Sequence, residues 1–222
     1  DLEQNLLSGK TTIITGANSG IGLEAAKYFA QQGARVIMAV RNEEKGKVAR
    51  DTILTKHPQA VVEVMKLDLA DLESIRTFAK IFETRYDSVD LLINNAGVMT
   101  PPGFELQFGS NHLGHFALTG HLLPLLKKTS HSRVVTLSSL AHRRAAIYFD
   151  NLDGSKGYKG MKFYGQSKLA NLLFSKELDK RLKEHGLQTI SLACHPGISS
   201  TNLFKFGKKD APKLVRGLMN RL

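Results

Sequence analysis

The sequence predicts an α/β chain with one doubly wound parallel sheet and helices on both of its faces. Three observations predict it. Short apolar runs rich in β-branched residues alternate with segments of helical period along the chain. Those runs are nearly continuous in apolar residues, as strands buried on both faces are. The first run ends in a glycine-rich turn, "TGANSGIG" at 15–22, that opens the first helix. Right-handed crossovers then bring the C-terminal end of every strand to one edge of the sheet, where such folds bind ligands.

Each element has its own signal. "TTIITG" (Thr11–Gly16) is a β-branched strand, and "GLEAAKYFAQQG" is a helix that Gly33 stops. "ARVIMAV" (Ala34–Val40) is a second strand. "NEEKGKVARDTILTKH" is a helix closed by His57-Pro58. "AVVEVMKLD" (Ala60–Asp68) is the third strand, and "LESIRTFAKIFETRY" the third helix. "SVDLLINNAG" contains the fourth strand. "SNHLGHFALTGHLLPLLKKT" is a helix with a kink expected at Pro124. "SRVVTLSS" is the fifth strand, "FYGQSKLANLLFSKEL" (Phe163–Leu178) a helix, and "LQTISLACHPG" the sixth strand. No internal repeat or linker-like run interrupts the 222 residues, so residues 1–222 read as one domain.

Composition narrows the function classes. The formal charge is +11, but the lysines are scattered and no basic cluster is interleaved with aromatics, so nucleic acid is not the expected partner. A solvated surface that tolerates a phosphate-bearing ligand is the plainer reading. The single cysteine, Cys194, excludes an intrachain disulfide and is expected to be buried filler. No leader pattern opens the chain and no apolar run approaches the ~20 residues of a spanning helix. No stable membrane insertion is expected, and the expected location is cytoplasmic.

The turn at 15–22 suits a dinucleotide. Gly16, Gly20 and Gly22 allow a tight turn and close approach of backbone N–H groups to a pyrophosphate at a helix N-terminus; Asn18, Ser19 and Ile21 lie within that turn. Its spacing is G-x-x-x-G-x-G. An acid at the end of the second strand would hold a ribose 2′-OH, but this strand ends in Arg41 and Asn42. A guanidinium suits a 2′-phosphate, which favours NADP(H) over NAD(H).

Tyr164 and Lys168 stand four residues apart in an otherwise amphipathic helix, so they share one face. A nearby ammonium favours the phenolate and lowers a tyrosine pKa, which makes Tyr164 a candidate general acid and base. His112 and His115, three apart with no nearby carboxylate or cysteine, are a poor ligand set, and no metal is expected.

Together, "TGANSGIG", "NNAG" (Asn94–Gly97), the serines after the fifth strand, "YGQSK" (Tyr164–Lys168) and "HPG" (His195–Gly197) resemble short-chain dehydrogenases/reductases, in the order that family has them. "NHLGHF", "SSLAH" and "QSKLANLLFSKEL" resemble its retinol-dehydrogenase-like branch. The resemblance implies a Rossmann-type sheet of order 3-2-1-4-5-6, continued in the family by a seventh strand. It implies hydride transfer between NADP(H) and a carbonyl or alcohol, with a lipophilic substrate. In that scheme Tyr164 is the general acid and base, and Lys168 assists it and bonds the nicotinamide ribose. Ser139 polarises the substrate oxygen, with Ser138 as the alternative, and Asn111 serves the proton relay. Cofactor contacts fall to Asp68 and Leu69, to Asn95, Ala96 and Gly97 (with Asn94 beside them), and to Pro196, Gly197 and Thr201. Homodimers or homotetramers through the Asn111 and Tyr164 helices are further implied. A dinucleotide sensor or interaction module without catalysis stands as the alternative.

Two intervals depart from the pattern. Asn94 to Asn111 is 17 positions, shorter than the family interval, which suggests chain missing after Pro102. Ser139 to Tyr164 is 25 positions, longer than in many members but resembling the retinol-dehydrogenase-like branch, and the basic and aromatic insert between them is either a substrate entrance or an exposed loop. The end at Leu222 precedes the family's last helix and strand, and truncation is the expectation.

Overall fold

The computed structural model describes residues 5–98 and 105–197. Six strands form one parallel sheet: β1 (Thr11–Thr15), β2 (Arg35–Val40), β3 (Val62–Lys66), β4 (Leu91–Asn94), β5 (Arg133–Leu137) and β6 (Ile190–Cys194). Their order is β3-β2-β1-β4-β5-β6, as the sequence implied. The chain builds outward from β1 to β3, then crosses back to place β4 on the other side of β1. Ile13 consequently pairs with Ile37 on one side and Leu92 on the other. The crevice at this reversal of strand order is the ligand position of doubly wound sheets.

Alternation along each strand splits the core in two. Ile13, Ile37, Leu92 and Val134 face one side, against Ile75, Phe78 and Phe82 of α3 (Leu72–Arg85) and Leu118 and Leu122 of α5 (Gly114–Lys128). Ile14, Val36, Met38 and Ile93 face the other, against Ala26 and Ala30 of α1 (Gly20–Gln31) and Ala49 and Ile53 of α2 (Glu43–Lys56). Each large side chain so buried contributes roughly 1.5–3 kcal/mol. Helix ends follow local chemistry. Asn42 and Asp71 accept the Lys45 and Glu73 N–H groups at the starts of α2 and α3, where acids also complement the helix dipole.

The sequence reading differs from the structure at three places. The fourth helical region starts earlier than Ser110, as α4 (Glu105–Phe108), and passes through a π segment (Gly109–Leu113) into α5, with Pro124 inside that helix. The Tyr164 helix, α6 (Gly160–Glu184), is longer at both ends than its apolar period showed, and Glu177–Arg181 and Asp179–Lys183 pairs support its polar last turns. Cys194 is exposed rather than buried, because β6 is an edge strand in which Leu192 is also open to solvent.

Candidate active site

The glycine turn is built by close packing. Gly16 has φ +67°, and Gly20, at φ +55°, opens α1. A Cβ on Gly22 would stand 2.4 Å from Asn95 Nδ2 and 2.5 Å from the Gly16 carbonyl oxygen, so a side chain there breaks the turn. Asn95 pins the turn from the β4 side: its Nδ2 donates to the Thr15 carbonyl at 2.7 Å, and its N–H donates to Thr15 Oγ1 at 2.9 Å. Ala96 N–H joins at the same hydroxyl, 2.9 Å away. Ala17 is buried, whereas Ser19 and Gly20 face solvent and the side chain of Ser19 does not cap α1. A helix start uncapped by a side chain and open to solvent fits a pyrophosphate.

The remaining cofactor candidates fall along the same edge. Arg41 is exposed at the end of β2, and its carbonyl accepts Lys66 Nζ. The Asn42 side chain is used as the cap of α2. The Asp68 carboxylate accepts the Ala70 N–H at 3.0 Å, and Leu69 packs against the core. Pro196 and Gly197 are exposed just beyond β6. Thr201 lies outside the described residues. Asn94 is buried, and its Nδ2 donates to Thr119 Oγ1 at 3.0 Å.

Four polar side chains expected to carry chemistry lie close around this edge. The π segment turns Asn111 inward, fully buried, with the Gly114 N–H bonded back to the Gly109 carbonyl. Asn111 Oδ1 accepts the Val98 N–H at 2.8 Å, and Nδ2 donates to the Val98 carbonyl at 3.0 Å and to Ser167 Oγ at 3.1 Å. Ser167 Oγ in turn donates to the Tyr164 carbonyl at 2.8 Å. Lys168 Nζ donates to the Leu137 carbonyl at 3.1 Å and lies 5.6 Å from the centre of the Tyr164 ring. A Cβ on Gly97 would stand 3.4 Å from Lys168 Nζ and 3.7 Å from Asn111 Oδ1, so this glycine leaves the floor between them open. Such a floor fits a flat ring laid on it.

The two serines after β5 divide their work. Ser138 is buried and its Oγ donates to the Lys168 carbonyl at 2.8 Å. Ser139 is partly exposed, and its Oγ accepts the Ala141 N–H at 3.3 Å. Burial pushes the Tyr164 phenol up from its ordinary value, and the Ser139 hydroxyl pulls the other way. Burial likewise lowers Lys168 to about 8. Desolvation, not the neighbouring ammonium, thus sets the direction of the Tyr164 shift, opposite to the expectation from the sequence.

Sequence reasoning passed over Thr15, Ser167, Gly114 and Asn171. Gly114 is required because a Cβ there would meet the Leu69 carbonyl oxygen at 2.2 Å. Asn171 shares the Leu137 carbonyl with Lys168, its Nδ2 donating at 3.1 Å. Their signal was adjacency: each sits within or beside a motif already singled out. His112 and His115 have separate partners, Asn171 Oδ1 at 3.2 Å and Thr15 Oγ1 at 2.8 Å, and no group of three or more His, Cys, Asp or Glu side chains suited to a metal occurs among the described residues.

From the insert after Ser139, Ile147 and Phe149 line an apolar groove of about 630 Å³ with Phe108, Phe116 and Phe174, along the outer faces of α5 and α6. Among the described residues no helix is long and apolar enough to cross a membrane.

A family model described as short chain dehydrogenase matches residues 10–211. Mouse (Mus musculus) retinol dehydrogenase 11 is 50% identical over 206 residues, 90% of this chain and 65% of that protein. A chloroplastic short-chain dehydrogenase TIC 32 B of Brassica napus is 42% identical over 209 residues, 88% of this chain and 65% of its own length. The chain thus spans slightly less than two thirds of these curated relatives. Among solved structures, an uncharacterised protein from Mycobacterium paratuberculosis superposes with TM-score 0.79 at 46% identity, covering 91% of this chain and 73% of that one. A short-chain dehydrogenase from Shigella flexneri complexed with NADP has TM-score 0.77 at 26% identity, covering 92% and 85%.

Proposed function

Because this chain belongs to the short-chain dehydrogenase family of oxidoreductases, retinol-dehydrogenase-like branch, we propose that it moves hydride between NADP(H) and a lipophilic carbonyl or alcohol. The observation that carries this reading is the buried phenol of Tyr164, with the buried ammonium of Lys168 5.6 Å from the centre of its ring. When bound, the nicotinamide dinucleotide supplies or accepts the hydride. The N–H groups of the 15–22 turn hold its phosphates, and Arg41 takes the 2′-phosphate. Ser139 Oγ orients the substrate oxygen. Tyr164 Oη gives that oxygen a proton in reduction and removes it in oxidation. Lys168 supplies a positive charge that favours the phenolate at the moment the proton leaves. Asn111, tied to Val98 and Ser167, fixes the floor at Gly97. Relatives named as retinol dehydrogenases support the lipophilic class.

The test is a panel of carbonyls and alcohols with NADPH/NADP⁺ and NADH/NAD⁺, followed at the absorbance of the reduced nicotinamide. Turnover with NADPH at least about tenfold more efficient than with NADH is expected, and Arg41→Asp should reverse the order. No turnover with either cofactor, alongside ordinary NADPH binding, would instead favour a dinucleotide sensor.

The proposal extends to self-association through α5 and α6, where Leu113, Phe116 and Leu173 are about half exposed. Light scattering tests it, and a monomer at micromolar concentration would overturn it. It extends also to a cytoplasmic location, tested by fractionation of expressing cells.

A further inference from the structure

His115 is buried one helical turn beyond Asn111, with both ring nitrogens partnered. Nε2 lies 2.8 Å from Thr15 Oγ1, and Nδ1 lies 3.0 Å from the Asn111 backbone carbonyl. The tautomer follows from Thr15. Its hydroxyl already accepts the Asn95 and Ala96 N–H groups, each at 2.9 Å. A hydroxyl has two acceptor lone pairs and one proton, so the Thr15 proton has to be donated outward. Nε2 at 2.8 Å is a better acceptor position than the Ile93 carbonyl at 3.4 Å. Nε2 therefore accepts, the ring proton resides on Nδ1, and it is donated to the Asn111 carbonyl.

We propose that His115 is a positioning residue: its two hydrogen bonds tie the π segment carrying Asn111 to the end of β1, and so hold the Asn111 carboxamide in place opposite Lys168. This rests on the reading of Asn111, Tyr164 and Lys168 as the reaction machinery. The reach of the ring is wider than one contact. On one side it meets Thr15, which adjoins the first glycine of the phosphate turn and anchors Asn95 and Ala96. On the other it meets Asn111, which leads through Ser167 to the backbone of Tyr164. A single imidazole thus sets the turn and the proton donor's helix in one register. Misplacing such groups by about 1 Å can cost on the order of 100-fold in rate. The titratable groups facing His115 are Lys168 and His112, and their positive charges oppose its protonation.

The test uses the full chain and the carbonyl substrate best reduced by the wild type. His115→Phe keeps ring volume but removes both bonds, whereas His115→Gln reaches as far as Nε2 and can still accept the Thr15 hydroxyl. His115→Phe should lower kcat about 10- to 100-fold with KM for NADPH within about threefold, and His115→Gln should recover kcat to within about threefold of wild type. Wild-type kcat in the Phe variant, or losses in both variants that merely follow their thermal stability, would overturn the proposal. Nitrogen NMR of the histidine-labelled wild type is independent of turnover and of variant folding: a proton on Nδ1 of His115 is expected, and one on Nε2 would overturn it. A wild type that turns over nothing defeats the functional reading, while the NMR result still decides the hydrogen-bond assignment.

Discussion

Ser138 Oγ donates to the backbone carbonyl of Lys168 at 2.8 Å, so the first of two adjacent serines fastens α6 to the end of β5. The pair should separate experimentally. Ser138→Ala is expected to cost about 1 kcal/mol of stability, read by urea unfolding, with kcat of the folded enzyme changed less than about tenfold. Ser139→Ala should leave the unfolding midpoint nearly unchanged and lower kcat about 100-fold or more. The opposite pattern would exchange the two roles.

Tyr164→Phe removes one oxygen from a buried ring and leaves its packing intact. Loss of the proton donor should lower kcat by about 10²–10⁴, while NADPH binding by fluorescence titration stays within about threefold. Retained turnover would remove Tyr164 from the mechanism.

Lys168 is costly to fold. Burial lowers its pKa from 10.5 to about 8, so the unfolded chain holds the proton more tightly than the folded one. Its contribution to stability is accordingly full above pH 10.5 and is lost as pH falls through about 8. At pH 7 the penalty is roughly 3 kcal/mol, offset in part by the bond to the Leu137 carbonyl. Lys168→Met should therefore be about 1–2 kcal/mol more stable than wild type at pH 7 and inactive, with the gain shrinking toward pH 10. Denaturant midpoints across that range check the sign.

His115 makes a matching forecast on the acid side. Burial lowers its pKa from 6.5 to about 4. A depressed folded pKa contributes stability that is present above pH 6.5 and lost as pH falls toward 4, roughly 3 kcal/mol in all. Urea titrations of wild type and His115→Asn between pH 7 and 4 should converge as the acid is added, since the variant lacks the titrating ring.

Gly114→Ala places a methyl carbon where the Leu69 carbonyl oxygen already stands. Either α5 or the loop after β3 has to shift, at a cost of about 1–3 kcal/mol. For a chain of this length that lowers Tm by several degrees, which calorimetry would show.

The amino-acid order alone determined the strand sequence, the parallel sheet and the edge on which Gly16, Asp68 and Ser139 follow their strands, while the order of the strands came from the family resemblance. Alternating periods and a glycine turn suffice for the former, because right-handed crossovers bring those strand ends together. It also marked Tyr164 and Lys168 as a pair, since helical spacing is a local property. Tertiary structure decided what local spacing does not encode. It put a π turn at Asn111 and bonded Asn94 to Thr119. It fastened Ser138 to α6, and it gave His112 and His115 different partners. It also reversed the expected direction for Tyr164, because a pKa answers to the water excluded by the whole fold as well as to the nearest charge. Hydrogen-bond partners 56 to 100 positions apart, Asn111 with Ser167 and Thr15 with His115, exist only once the sheet and helices have packed.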